Sequence, residues 1–153
     1  MRELIIVVPL PPRELFPNYP ADHWTGKAKA VASYGYTVKL LALNERHLWE
    51  TANKQIWEPL VHASIALEFT WPASKRGPLP DEKNLEAAFK SGIDALTARV
   101  RGVDKRGDPI VGAGIIADDS PGKLAWLPTV PKRGSEAGVQ ITIKEIRRSD
   151  VQN

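Results

Sequence analysis

Apolar and polar positions alternate most regularly at residues 61–71. Val61, Ala63, Ile65, Leu67, Phe69 and Trp71 interleave with His62, Ser64, Ala66, Glu68 and Thr70, a period of two that predicts a strand with one face on a core. Residues 4–8 are apolar on both faces and β-branched, then stop at Pro9 and Pro11-Pro12, which predicts a second, buried strand. From residue 27 to 54 there is no proline, and Val31, Tyr34, Val38, Leu41 and Leu48 recur at roughly helical spacing. This predicts a helix, with Gly35 as a weak point where it can bend. A second helix is expected over residues 84–99. Leu85, Ala88, Phe89, Gly92 and Leu96 form its apolar stripe, and Glu86, Lys90 and Asp94 lie four apart on the other side. Two more strands are expected at residues 124–130 and 139–146, joined as a hairpin through residues 132–138.

The connections are informative as well. Residues 10–24 form a long proline-rich loop, of a kind uncommon inside compact domains unless it has a function. Residues 72–80 are rich in proline, glycine and charge, residues 101–109 read as an exposed insertion, and Asp118-Asp119-Ser120-Pro121-Gly122 is a strong turn signal. The order strand, helix, strand, helix, strand, strand predicts an α/β chain of α+β type, a mixed four-stranded sheet with two helices packed on one face. One domain is expected over residues 1–146, followed by a polar tail at 147–153.

Composition narrows the classes. The 42% hydrophobic and 25% charged residues sit near globular averages and favour neither a disordered nor a membrane protein. The longest apolar run, residues 4–10, is far short of the roughly 18 residues that suggest a spanning helix, so no membrane partner is expected. Met1-Arg2-Glu3 brings in an acidic residue at once and no small-residue cleavage site follows, so no secretory leader is expected. The absence of cysteine excludes disulfides, thiolate metal sites and a cysteine nucleophile, and agrees with a cytoplasmic location.

The net charge of +3 is unevenly spread: Lys75-Arg76, Arg99 and Arg101 with Lys105-Arg106, Lys132-Arg133 and Arg147-Arg148 all fall in predicted loops or ends. Phosphate-contacting side chains are often presented this way, and so is ordinary solvated charge. Asp81, just before the second helix, and Asp118-Asp119 in the later turn are the candidate metal ligands. Two or three convergent carboxylates hold magnesium while phosphate oxygens complete its shell, and the metal then activates a water against the phosphodiester. Each aspartate also has a simpler reading: Asp81 as a helix N-cap, Asp118-Asp119 as turn chemistry. His23, His47 and His62 show no metal-ligand spacing. Trp24, in the proline-rich loop, is the tryptophan best placed to stack on a base or sugar.

The run Pro80-Asp81-Glu82-Lys83-Asn84-Leu85, then Lys90, Ile93-Asp94-Ala95-Leu96 and Asp118-Asp119-Ser120-Pro121, resembles the signature of the RusA family of Holliday-junction resolvases. That signature has Asp-x-Asp-Asn-Leu opening a helix, Asp-Ala-Leu or Asp-Gly-Leu closing it, and an Asp-Asp turn later. Pro11-Pro12, Leu15, Pro17-Asn18, His23-Trp24 and Lys27-Ala28 are similar to the family's opening, and the matches run in order over residues 4–146. The resemblance implies a RusA-like fold of bacterial or phage origin, acting in the cytoplasm as a homodimeric, magnesium-dependent endonuclease on four-way or branched DNA, with manganese able to substitute. It makes Asp81 the first metal ligand and one of Asp118 and Asp119 the distal one. Lys90 becomes the lysine facing the scissile phosphate. Asn18, His23, Trp24, Lys27, Lys75, Arg76, Lys83, Asn84, Lys132 and Arg133 are the expected DNA contacts.

One position departs from the family pattern: Lys83 stands where the second aspartate is expected. At about 4 Å and an effective dielectric near 20, a carboxylate attracts a divalent ion by roughly 8 kcal/mol and an ammonium repels it by a similar amount. Three outcomes are open. Lys83 swings out and leaves a weak site of Asp81, Asp118 or Asp119, with Glu82 or Glu86; or its ammonium takes the metal's place, giving a protein that binds junctions without cutting them; or the lysine is an engineered inactivating change.

Overall fold

The computed structural model describes residues 1–19 and 24–152. In chain order they form β1 (Glu3–Val8), α1 (Trp24–Asn53), β2 (Ala63–Pro72), α2 (Glu82–Ala88), α3 (Lys90–Leu96), β3 (Val100–Val103), β4 (Pro109–Val111), β5 (Leu124–Trp126), β6 (Val130–Gly134) and β7 (Gly138–Glu145). Short 3-10 turns lie at Arg13–Leu15 and Arg148–Gln152.

The alternating segment becomes the central strand. Ala63, Ile65, Leu67 and Phe69 of β2 are buried, whereas Val61 precedes the strand and is exposed. On one edge β2 pairs antiparallel with β7, which pairs antiparallel with β1. On the other edge it pairs parallel with β5 and then with β6. The result is a mixed sheet of α+β type with the order β1-β7-β2-β5 and β6 beside the far half of β2. Leu4, Ile6 and Val8 of β1 and Val139, Ile141 and Ile143 of β7 join the same core, while Ile5 and Val7 point out to solvent.

The helices cover the apolar face. Tyr34, Val38 and Ala42 of the 30-residue α1 are buried, four apart. The Tyr34 hydroxyl donates to the carbonyl of Pro9 at 2.8 Å, and burial pushes its phenol pKa far up. Gly35 marks close packing of α1 on α3, because a Cβ there would lie 3.4 Å from the Ser91 carbonyl. It does not break the helix, which runs unbroken from Trp24 to Asn53. Val31 and Leu48, expected in the buried stripe, are exposed.

Several expectations are corrected. The stretch 84–99 holds two short helices and ends earlier, so the described residues form three α-helices in place of two. Phe89 has φ −90 and ψ 2 at the junction, and its ring packs so tightly on Gly92 that a Cβ there would come within 2.7 Å of it. The main sheet has five strands in place of four, because residues 124–130 split into β5 and the start of β6. The backbone N–H of buried Thr129, in the gap, donates to Glu82 Oε1 at 3.0 Å and not to a strand. The last two predicted strands are not a hairpin pair: β7 inserts between β1 and β2, where its alternate residues reach the core, leaving β5 and β6 on the opposite edge. The insertion at 101–109 contains a small antiparallel hairpin, β3 with β4. Beyond residue 147, the turn Arg148–Gln152 buries Val151.

Gly112 follows this hairpin, and an added Cβ would sit 2.3 Å from the Thr97 carbonyl oxygen and 2.6 Å from that of Ala95. Backbone cannot yield as a side-chain tip can. Gly112→Ala is expected to cost about 1–3 kcal/mol of stability in urea unfolding. Gly26→Ala, on α1 with nothing within 4 Å of the new methyl, is expected to add about 0.5–1 kcal/mol.

Candidate functional site

The Asp118-Asp119 turn is positioned by a backbone ladder. The N–H groups of Ala113 and Ile115 donate to the carbonyls of Ala95 and Leu96, at 2.7 and 2.9 Å. Ala98 N–H donates to Ile116 O, and Ala117 N–H to Leu60 O, each at 2.9 Å. Ile116 thus runs parallel to both Thr97 and Leu60. Ile115 and Ile116 are fully buried, and the indole of Trp57 donates to the Ile115 carbonyl at 3.1 Å. Two residues beyond the Thr97–Ile116 pairing on each strand stand Arg99 and Asp118, so the register itself brings those opposite charges together.

A network of seven charged side chains results. Lys90 Nζ lies 2.9 Å from both Asp94 Oδ1 and Asp119 Oδ2. Arg101 Nη2 is 2.9 Å from the same Asp94 oxygen and 4.0 Å from Asp119 Oδ1. Arg99 and Lys123 each reach Asp118 at 3.8 Å. Three carboxylates therefore face four cations. Partial burial opposes ionisation of Asp119, but the hydrogen bond and charge of Lys90, with help from Arg101, outweigh it and hold the carboxyl below its ordinary range. Burial likewise opposes the Lys90 charge, and the bonds to Asp94 and Asp119 outweigh it, raising its pKa.

The residues at the head of α2 point to other partners. Asp81 Oδ1 accepts from the Asn84 N–H at 2.9 Å, the N-cap geometry that satisfies a first-turn donor. Glu82 accepts from Thr129 N–H, and Glu86 from the Thr129 hydroxyl at 3.4 Å. Both glutamates are thus drawn to the gap between β5 and β6. Lys83 is exposed on α2. Among the described residues no three His, Asp or Glu side chains gather as a metal site, so Asp81 does not join Asp118 and Asp119 in one. As arranged, these donors do not fit magnesium. Asp94 and Asp119 turn their oxygens to Lys90 and Arg101, and a dication there would stand against both positive groups.

The expected DNA contacts fall into three places. Register sets Trp71 beside Arg133 and Pro72 beside Gly134, and Arg133 donates to the carbonyls of Lys75 and Gly77. Two basic pairs far apart in sequence, Lys75-Arg76 and Lys132-Arg133, thereby share one corner. Arg133 acts there as a strut and Lys132 pairs with Glu68 at 2.7 Å. Asn18, Asp81 and Asn84 line a cleft of about 430 Å³ with Phe16 and Leu79. Lys27 and Lys90 share a second cleft of about 300 Å³ with Asp94. His23 lies outside the described residues, and Trp24 is described only as the first residue of α1.

The network also recruits residues that were not site candidates. Asp94 was legible as a partner of Lys90 four residues away, and Arg99 and Arg101 as a period-two pair of basic residues. Lys123 had no signal in the sequence, because only the turn after Asp119 brings it back to Asp118. No family model matches the chain, and no curated protein matches it in sequence.

The two shifted groups predict opposite pH limits. Asp119 titrates lower in the folded chain than unfolded, so its contribution is complete above the unfolded value, about 3.9, and disappears as pH falls through the folded one. Lys90 titrates higher, so its contribution is complete below about 10.4 and disappears as pH rises through the folded value. Urea midpoints measured from pH 2 to 7 are expected to fall less steeply toward acid in Asp119→Asn than in the parent chain.

Proposed function

We propose that this chain is a RusA-like protein that binds branched DNA without cutting it. Its binding surface is the basic corner of Lys75, Arg76, Lys132 and Arg133, extending to the cleft of Asn18 and Asn84. The observation that carries the reading is the coincidence of two arrangements. The basic pairs of the loop after β2 and of β6 converge on one corner, as phosphate binding favours, while the carboxylates that a nuclease would need are held by Lys90, Arg99, Arg101 and Lys123. The resemblance along residues 4–146 supplies the substrate class, and Lys83 removes one expected ligand.

A homodimer belongs to the same proposal, since a two-fold axis matches the symmetry of a four-way junction. So does action in the cytoplasm of a bacterial cell, on host or phage DNA. No helix among the described residues is long and apolar enough to cross a membrane.

Electrophoretic mobility shifts with a four-way junction and a linear duplex of equal length test the reading. Tighter binding to the junction is expected, with affinity falling steeply as salt rises. Arg76→Ala and Lys132→Ala should each lower the salt slope by about one. No nicks are expected with magnesium or manganese. Equal affinity for both DNAs would sink the branched-DNA assignment, and metal-dependent nicking by the parent chain would restore the nuclease reading.

A further inference from the structure

The β3–β4 hairpin is attached to the domain in an unusual way. All seven of its strand residues are exposed, including Val100, Val103, Ile110 and Val111, so its strands bury no side chain in the core. A two-stranded ribbon without a buried face is marginal by itself. At its far end the turn is local: Asp104 Oδ1 accepts from the N–H groups of Arg106 and Asp108. At its near end the chain is fixed where Ala113 N–H meets the Ala95 carbonyl. Between these points Arg101 pairs with Asp94 on α3 and with Asp119, and Arg99 with Asp118, while Ile110 and Val111 stay exposed beside a cleft they share with Val31 and Tyr36 of α1.

We propose that this hairpin is a charge-held strap that masks the carboxylates of Asp94, Asp118 and Asp119, and that a polyanion releases it by drawing Arg99 and Arg101 away. Arg99 is 61% exposed and Arg101 about half as much, so their ion pairs are open to water, individually weak and screened by salt. The strap's apolar residues nearest the body, Ile110 and Val111, are themselves exposed, so they hold it only weakly when the ion pairs fail. Lys90 stays on α3 and keeps its own bonds to Asp94 and Asp119, and Lys123 keeps its reach to Asp118, so release unmasks each carboxylate in part. The corresponding loss on the strap side is the free ends of two arginines, which then face solvent or phosphate. This device accounts for a basic insertion next to an acidic turn.

Two measurements on the full chain test it. Hydrogen exchange of residues 98–111 should quicken about fivefold in the double variant Arg99→Gln/Arg101→Gln, the factor corresponding to about 1 kcal/mol of lost ion pairing, and to a similar extent in 0.5 M sodium chloride, the added salt being roughly enough to shorten the screening length to a few ångströms. Exchange of β2 and β7 should not change. Carbodiimide coupling of an amine to carboxylates, mapped by mass spectrometry, should rise at Asp118 in the same variant, whereas Arg99→Lys/Arg101→Lys should stay near the parent. Adding four-way junction DNA to the parent chain should quicken the same hairpin amides. Unchanged exchange and unchanged labelling in the Gln variant would overturn the strap, as would a bound junction that leaves the hairpin amides untouched. A junction that fails to bind at all would overturn the function proposed above, with the salt and variant arms still deciding on the strap.

Discussion

The structure depends on β2 being hydrogen-bonded along both edges. A buried strand must pair its backbone N–H and C=O groups on each side, and here β7 satisfies one side while β5 and β6 divide the other. Leu127 N–H still reaches the Ile65 carbonyl at 2.9 Å, but the chain then leaves the sheet for Thr129. Glu82 and Glu86 take up the polar groups of that buried residue. The interruption of the parallel edge therefore sets the orientation of α2. With those two glutamates turned to the sheet, Asp81 caps its own helix and Lys83 remains at the surface.

A second, smaller ladder organises the charges. Ile116 is held between Thr97 and Leu60, and its depth in the core makes the ladder stiff. The pairing of the turn's aspartates with the arginines follows from the residues that leave it: Arg99 and Arg101 outward on one strand, Asp118 and Asp119 on the other. Half-buried carboxylates need partners, because desolvation is costly unless charge or hydrogen bonds compensate. Lys90 and Arg101 supply that compensation for Asp119, and the lowered titration of this carboxyl records it. The same neutralisation that makes the turn stable leaves these oxygens directed at protein cations.

The strand β2 and the apolar stripe of Leu85, Ala88, Phe89, Gly92 and Leu96 were legible because period and burial coincide there, whereas β1, apolar on both faces, buries only one because it lies at the edge of the sheet with Ile5 and Val7 exposed. Each of those stripe residues is buried. The helix break at Phe89 was not legible, since a ring wedged on Gly92 depends on what presses on it from α1 and β2: Tyr34 and Phe69 meet Phe89 edge to face at 6.1 and 6.2 Å. The partnership of β5 and β6 with β2 was likewise hidden. Two nearby strands in sequence suggest a hairpin, and only the competition for the edges of β2 sends β7 between β1 and β2.

For the site, the residue types were readable and their grouping was not. Spacing by itself marked Asp81 as a possible cap, Lys90 and Asp94 as neighbours on a helix, and Lys75-Arg76 and Lys132-Arg133 as basic pairs, because those relations are local. Whether Asp81 meets Asp118-Asp119, and which cations answer the aspartates, depends on contacts spanning tens of residues. Those were decided by the tertiary structure, through the register of β6 on β2 and of Ile116 on Thr97, because one residue of slip in either would turn every following side chain to the opposite face.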